Sequence, residues 1–257
     1  MLTARAAGLF IISITDHDTT AGVDAARAAA RDAGVELIPG IEITAVEEGR
    51  DIHVLGYFID TASVPLQTFL ERQRADRLRR IAEMRDRLAA LGYPVETAAI
   101  LEDGRRGRSV GRPQIASALL QAGHVRTRDE AFDRFLAAGG PAYVPRDVVP
   151  AASVIDLIHA AGGVASLAHP GPNRRDHLIP ALAANGLDAI EVTHSDHDAE
   201  TEARYRRLAA DLGLAVTGGS DFHGEAPTHR ATALGAVTLP ADDLARLRAK
   251  LRMTNDE

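Results

Sequence analysis

Gly8-Leu-Phe-Ile-Ile-Ser-Ile-Thr-Asp-His-Asp-Thr19 is the stretch that decides the fold. Its first half is a continuous apolar run rich in isoleucine, the pattern of a strand buried on both faces of a parallel sheet. Its second half turns abruptly polar and sets an imidazole between two carboxylates. In parallel α/β architectures ligands bind at the carboxyl ends of the strands, on the loops that follow. The arrangement recurs down the chain. Residues 35–38 lead to Pro39-Gly-Ile-Glu42, and the next strand carries His53 in His53-Val-Leu-Gly-Tyr57. Residues 163–168 run into His169-Pro170, residues 187–193 into His194-Ser-Asp-His197, and residues 214–218 into Gly219-Ser-Asp221-Phe-His223.

Helical patterns alternate with these runs. Residues 20–33 read as an alanine-rich helix stopped by Gly34. Further helices are expected at 151–161, 176–185, 198–212 and 241–251, with strands at 9–15, 35–45, 51–59, 163–168, 187–193 and 214–218. Such alternation means βα units and a mainly parallel sheet, open or closed into a barrel. The middle of the chain differs. Residues 63–91 form one long arginine-rich helical pattern, followed by helices at about 110–122 and 127–138 with no strand between them. Gly139-Gly140-Pro141 marks the return. The expected organisation is a discontinuous α/β body, residues 1–60 and 151–257, carrying a helical insertion domain at 61–150.

Composition excludes several classes. Of 257 residues, 46% are hydrophobic and 25% charged, which rules out disordered, collagen-like and coiled-coil chains. There is no cysteine, so disulfide scaffolds, thiolate zinc sites and cysteine nucleophiles are out, in keeping with a cytoplasmic protein. The apolar run at 8–14 is too short to cross a bilayer and lacks the flanks of a signal peptide. The net charge of −7 is unevenly spread: residues 61–150 hold 15 arginines against 11 acidic residues, a local excess of +4, and the remainder is acidic. The acidity argues against nonspecific duplex nucleic-acid binding and leaves a small phosphorylated ligand open.

Taken singly, the strand-end side chains are weak signals. A lone histidine is usually a satisfied polar residue, and Asp16 and Thr19 are placed to cap the helix that follows. Their joint occurrence at successive strand ends is the stronger signal. Imidazoles and carboxylates without thiolates suit Zn, Mn or Fe, and carboxylates bridging neighbouring ions would explain the crowding of ligands on one face. The residues therefore point to a polynuclear metal site on a barrel-like sheet. His159 inside a helix, His124 in a turn, and His177 and His229 without partners at ligand spacing are read as bystanders.

Ile14-Thr-Asp-His-Asp-Thr19, Pro39-Gly-Ile-Glu42, His53-Val-Leu-Gly-Tyr-Phe58, Ser109-Val-Gly-Arg-Pro113, Ala142-Tyr-Val-Pro145, Ala168-His-Pro-Gly171, Ile190-Glu-Val-Thr-His-Ser-Asp-His197 and Gly218-Gly-Ser-Asp-Phe-His-Gly224 together resemble the PHP (polymerase and histidinol phosphatase) domain family. The likeness is nearest to its stand-alone phosphoesterases acting on nucleoside 3′,5′-bisphosphates and short RNA 5′ ends. The resemblance implies a distorted (β/α)7 barrel with a helical insertion and up to three divalent ions, Mn or Zn, with Fe also compatible. By motif, His17, Glu42, His53, His169, Asp221 and His223 fall on ligand positions. Glu42 would bridge one ion completed by His53 and His169 and a second beside Asp221, with His17 and His223 on the third. His17 and His223 are the candidates for protonating the leaving oxygen.

The chain departs from the family pattern at its start, where a first strand bearing His-x-His and a following Ser-Asp-Gly are expected. By the resemblance, roughly twenty residues, that strand included, lie upstream of Met1 or do not exist, and a mis-assigned start or truncation is the preferred reading over a natural short form. Gln114 and Gly140 stand where the family often has histidine and lysine, so Arg112, His194 and His197 become the candidate phosphate contacts. Arg174 and Arg175 are read as solvated loop residues. The expected function is a metal-dependent phosphoesterase acting on small phosphorylated nucleotides or short RNA, without a membrane partner. The ions would lower the pKa of water and neutralise phosphoryl oxygens, while the basic insertion would attract the anionic substrate. The alternative is a metal-binding PHP-like protein whose catalysis is impaired by the absent ligands.

Overall fold

The computed structural model describes residues 1–224 and 233–254; His229 lies outside the described residues. The chain divides into two compact units, one made of Met1–Gln67 with Val149–Glu257 and the other of Thr68–Val148. The division at 67/68 falls inside a helix rather than at the expected edge near 61, because the long arginine-rich pattern is one uninterrupted helix, α3, Val64–Ala90.

In the first unit, helices α1 (Leu2–Ala6) and α2 (Val23–Ala33) flank strand β1 (Ile11–Ile14). Strands β2 (Glu36–Glu47), β3 (Arg50–Tyr57), β4 (Val164–Leu167), β5 (Ala189–His194) and β6 (Ala215–Gly219) follow, in the spatial order β1-β2-β3-β4-β5-β6. β1–β2, β4–β5 and β5–β6 are parallel. β3 runs antiparallel to both β2 and β4, so the sheet is more mixed than the alternation implied. The cause is local. Glu48 and Gly49 both take positive φ, 49° and 74°, giving a two-residue loop that returns the chain directly beside β2.

Alternate residues point to opposite faces. Ile41, Ile43 and Ala45 of β2 share one face with Ile52 and Val54 of β3, all buried, and helix α7 (Ala151–Ala160) packs against both strands. Each of the isoleucine and valine side chains withdrawn from water contributes roughly 1.5–3 kcal/mol. Glu42, Thr44, His53 and Leu55 share the other face. A Cβ on Gly40 would lie 2.4 Å from Ser13 Oγ, so glycine there lets β1 close onto β2. β1 and β6 are the edges of the sheet among the described residues. Both line a single cavity of about 930 Å³, so the sheet is curled with its edges facing one another.

Short helices α8 (Pro170–Asn173) and α9 (Ile179–Ala184) follow β4, while α10 (Ala199–Asp211) and α11 (Ala241–Thr254) follow β5 and β6. Asp198 caps α10 by accepting the Thr201 N–H. None of the helices searched among the described residues is long and apolar enough to cross a membrane.

In the second unit, the helices are the remainder of α3, then α4 (Ala98–Arg105), α5 (Arg112–Gln121) and α6 (Arg128–Ala131), which runs on as a π turn over Phe132–Leu136. Ile81, Met84, Leu88, Ile115, Leu119 and Leu136 form its core. The sequence reading did not anticipate α4. Gly104 within it disfavours a helix by about 1 kcal/mol, but a Cβ there would meet Leu78 Cδ2 at 2.7 Å and Val110 Cγ2 at 2.9 Å, so glycine lets these side chains pack without shifting. Arg80 is buried, donates from Nε to the Val144 carbonyl, and is pushed down to about 10 by burial and by the nearby charge of Arg146.

His159 in the last turn of α7 is held 2.8 Å from Asp188 Oδ2, and the same oxygen accepts the Ala165 N–H. The Asp188 bond raises the His159 pKa against the opposing effect of burial. The ionic contribution is therefore fully present below the unfolded histidine pKa, near ~6.5, and is lost as pH rises through the folded value. His159→Gln should lower stability by about 1 kcal/mol at pH 6 and by less at pH 9 in urea melts followed by circular dichroism. Equal losses at both pH values would reduce the pair to a neutral hydrogen bond.

Candidate metal centre

Glu42 is the hub. It projects from the middle of β2, is buried, and is met by imidazoles from three other segments. His53 on β3 lies with Nδ1 2.6 Å from Glu42 Oε1, and His169, just past β4, lies with Nε2 3.3 Å from the same oxygen. His17, on the loop after β1, places Nδ1 3.5 Å from Glu42 Oε2 and is bridged to Glu42 through the backbone. His53 Nδ1 and His169 Nε2 are 3.3 Å apart. Asp18 steadies this loop by accepting the Thr44 N–H at 2.9 Å and bonding the Thr44 hydroxyl.

These distances suit a metal ion. A tetrahedral ion with nitrogen and oxygen ligands at ~2.0–2.2 Å holds them roughly 3.3–3.5 Å apart, and three of the four separations fall in that range. The His53–Glu42 contact is shorter and is a hydrogen bond. Ligand atoms of His17, Glu42 and His53 all lie within 4.8 Å of one another.

The electrostatics follow from burial. Desolvation would raise the Glu42 carboxyl, but the bonds from His169 and His53 and the charge of His17 hold it well below the usual carboxylate range. Burial disfavours a charged His169, yet Glu42 raises it to about 9. Glu191, buried at the middle of β5, is pushed up to about 8 by desolvation, with His169 opposing and Glu42 and Asp221 adding to the rise. On the two strands flanking β5, Ser166 and Thr217 share a 2.8 Å hydrogen bond.

Asp221 and His223, on the loop after β6, form a more exposed group. The His223 and His17 ring centroids are 6.2 Å apart, and His223 Nδ1 bonds the Asp221 carbonyl. His194 is buried against His169, with ring centroids 5.6 Å apart. Its Nδ1 accepts the Asp196 N–H, so the neutral ring carries its proton on Nε2. That Nε2 is buried without a hydrogen-bond partner among the described residues and lies 3.9 Å from Asp221 Oδ2, beyond hydrogen-bonding distance. Burial, then the charge of His169, lowers the His194 pKa.

His197 behaves differently from the phosphate contact expected of it. Its Nδ1 donates to the Val192 carbonyl and its Nε2 accepts the Gly171 N–H, so both nitrogens are engaged by backbone. Arg112 lies in the other unit, at the start of α5, near the Phe132 and Tyr143 rings. Arg175, read as a solvated loop residue, instead donates to the Glu47 carbonyl and pairs with Glu48. The bystander His124 bonds the Pro94 carbonyl, and His177 faces Glu48. Sequence reasoning passed over Glu191, although a carboxylate inside the otherwise apolar run Ala189-Ile-Glu-Val192 was the available signal.

No protein-family model matches the chain. It is 36% identical over 228 residues to a 5'-3' exoribonuclease of Haemophilus influenzae, spanning 86% of this chain and 81% of that protein. It is 34% identical over 226 residues to a phosphoribosyl 1,2-cyclic phosphate 1,2-diphosphodiesterase of Eggerthella lenta (85% and 84%). It is 30% identical over 225 residues to a 3',5'-nucleoside bisphosphate phosphatase of Chromobacterium violaceum (86% and 78%). A crystal structure from Bifidobacterium adolescentis, described as a metal-dependent phosphoesterase, superposes with a TM-score of 0.83 at 36% identity, over 96% of this chain and 88% of that one. Together with a histidine and glutamate cluster on a curled α/β sheet, these similarities define a metal-dependent phosphoesterase. The chain belongs to the PHP family of such enzymes. The relatives are enzymes, and nothing in the comparisons supports a non-catalytic reading.

With His169 raised to about 9, an ion binding at neutral pH must displace a proton from the cluster. Calorimetry in two buffers of different ionisation enthalpy should report release of roughly one proton per ion at pH 7, with affinity rising up to about tenfold per pH unit towards 9. Heats identical in both buffers would contradict this protonation state.

Proposed function

We propose that the chain hydrolyses phosphate monoesters of small nucleotides, nucleoside 3′,5′-bisphosphates first, and short RNA from its 5′ end, using Mn or Zn. The observation that carries the reading is the convergence of His17, His53 and His169 on buried Glu42. Support for the substrate class comes from relatives that include a nucleoside bisphosphate phosphatase and a 5'-3' exoribonuclease. Divalent ions, when bound, supply Lewis-acid charge for the phosphoryl oxygens and lower the pKa of water.

Glu42, His53 and His169 would hold one ion, Asp221 with Glu42 would hold a second, and His17 with His223 would serve a third. His194 Nε2–H, buried without a hydrogen-bond partner among the described residues, donates to a phosphoryl oxygen of the substrate. His17 or His223 delivers the proton to the leaving oxygen. Arg112 and the other arginines of the 61–150 segment raise the local concentration of anionic substrate. His197, with both nitrogens occupied, is not retained as a phosphate contact. We also read the six strands as part of a (β/α)7 PHP barrel with a helical insertion.

The test is phosphate release from adenosine 3′,5′-bisphosphate by the full chain with Mn or Zn, beside a 5′-phosphorylated trinucleotide and phosphoribosyl 1,2-cyclic phosphate. The bisphosphate should be the best substrate. Glu42→Gln should abolish turnover, and His194→Ala should lower kcat/KM by roughly 100-fold. Preference for the cyclic diester would reassign the substrate, and inertness towards all three would sink the phosphoesterase reading.

A further inference from the structure

The turn that presents His169 is backed by β5 and the loop after it. His169 has φ 26° and ψ 61°, a left-handed backbone that a side-chain-bearing residue adopts at a cost of about 1–3 kcal/mol and keeps only where its surroundings enforce it. Each backbone donor of the turn has a defined fate. Ala168 N–H goes to the His53 carbonyl at 3.0 Å. His169 N–H goes to Glu191 Oε2 at 2.8 Å. Pro170 has no N–H, and Gly171 N–H goes to His197 Nε2 at 3.1 Å. Two of the three bonds therefore end on side chains. His197 is itself fixed by its 2.7 Å bond to the Val192 carbonyl, and it packs so closely on the turn that a Cβ at Gly171 would lie 2.6 Å from its ring. Glu191 and His197 are both buried. Their bonds hold the His169 ring where Nε2 lies 3.3 Å from both Glu42 Oε1 and His53 Nδ1.

We infer that Glu191 and His197 are positioning residues, a two-point brace that fixes the His169-Pro170-Gly171 turn so that His169 meets Glu42 and His53 at ligand spacing. The inference rests on the metal-centre reading and extends it to two side chains outside the proposed ligand set. Glu191 acts through its oxygen as an acceptor, not through its charge. An amide at that position is therefore sufficient.

The experiment is a Co²⁺ titration of the full chain, followed by visible absorption and calorimetry, with thermal melts of each metal-free protein. The variants are Glu191→Gln, Glu191→Leu, His197→Gln and His197→Ala. Loss of an outer partner of a ligating histidine weakens metal binding by roughly 10–100-fold. Glu191→Leu and His197→Ala should show that loss with an altered Co²⁺ spectrum, and Glu191→Gln and His197→Gln should recover most of the affinity and the wild-type spectrum. His197→Ala keeps the test open if Glu191→Leu fails to fold. Leu and Ala variants with wild-type affinity and spectrum would overturn the brace, as would a Glu191→Gln protein as impaired as Glu191→Leu. Wild-type protein that ignores Co²⁺ would overturn the metal centre as well, which separates the two failures.

Discussion

The structure of the first unit depends on one constraint: the Glu42 carboxylate is charged and out of water. A buried carboxylate costs several kcal/mol unless positive charge and hydrogen bonds compensate. Here the compensation comes from His17, His53 and His169, on three segments far apart in the chain. The parallel β1–β2 pairing, the β2–β3 hairpin and the β3–β4 pairing each deliver one of those imidazoles. The same arrangement that makes the carboxylate tolerable makes it a place for a cation. Proton and metal ion compete for one set of lone pairs, and the sheet cannot satisfy Glu42 without presenting that set.

Half of the described positive-φ non-glycine residues lie beside the candidate site. Six described non-glycine residues take positive φ, among them Asp18, His169 and Asp221, each directly after a strand or within a few residues of one. A strand end that simply ran on would carry its side chain outward along the sheet. The left-handed residue turns the chain back over the end of the sheet, and the neighbouring bonds of Asp18 to Thr44 and of His169 to Glu191 keep it there. Rigid strands thus supply position and strained ends supply direction.

Much of this was legible in the sequence, for reasons that also explain the omissions. Continuous apolar runs locate β4, β5 and β6 to within a few residues, because largely buried strands carry little else. The same pattern locates β1, which is not buried on both faces as expected but is an edge strand lining the cavity, with Ile11 exposed. Polar residues following the runs marked His17, Glu42 and His169, and a histidine within a strand marked His53, as candidates for one site, although Glu42 lies inside β2 rather than past its end. The direction of β3 was not legible, since hydrophobic pattern carries no polarity and Glu48-Gly49 is not one of the strongest hairpin dipeptides. Helix α4 was hidden by Gly104, whose packing against Leu78 cannot be read locally. His197 looked like a phosphate contact because sequence shows the imidazole but not the Val192 and Gly171 backbone groups that occupy it. Glu191 was passed over for the converse reason: its role is defined by an N–H 22 residues away.

The antiparallel pairing of β3 with β4 has a kinetic side. Tyr57 and Val164 are partners across 106 intervening residues, and closing a flexible loop of that length costs about 4 kcal/mol beyond a constant. The helical unit lies within that loop and has a core of its own, built from contacts closer in sequence. Segments rich in local contacts form fastest. An early-folding helical unit shortens the effective tether and brings β3 and β4 within reach, so His53 and His169 would come together late. On that order of events, assembly of the histidine cluster around Glu42 reports completion of the fold.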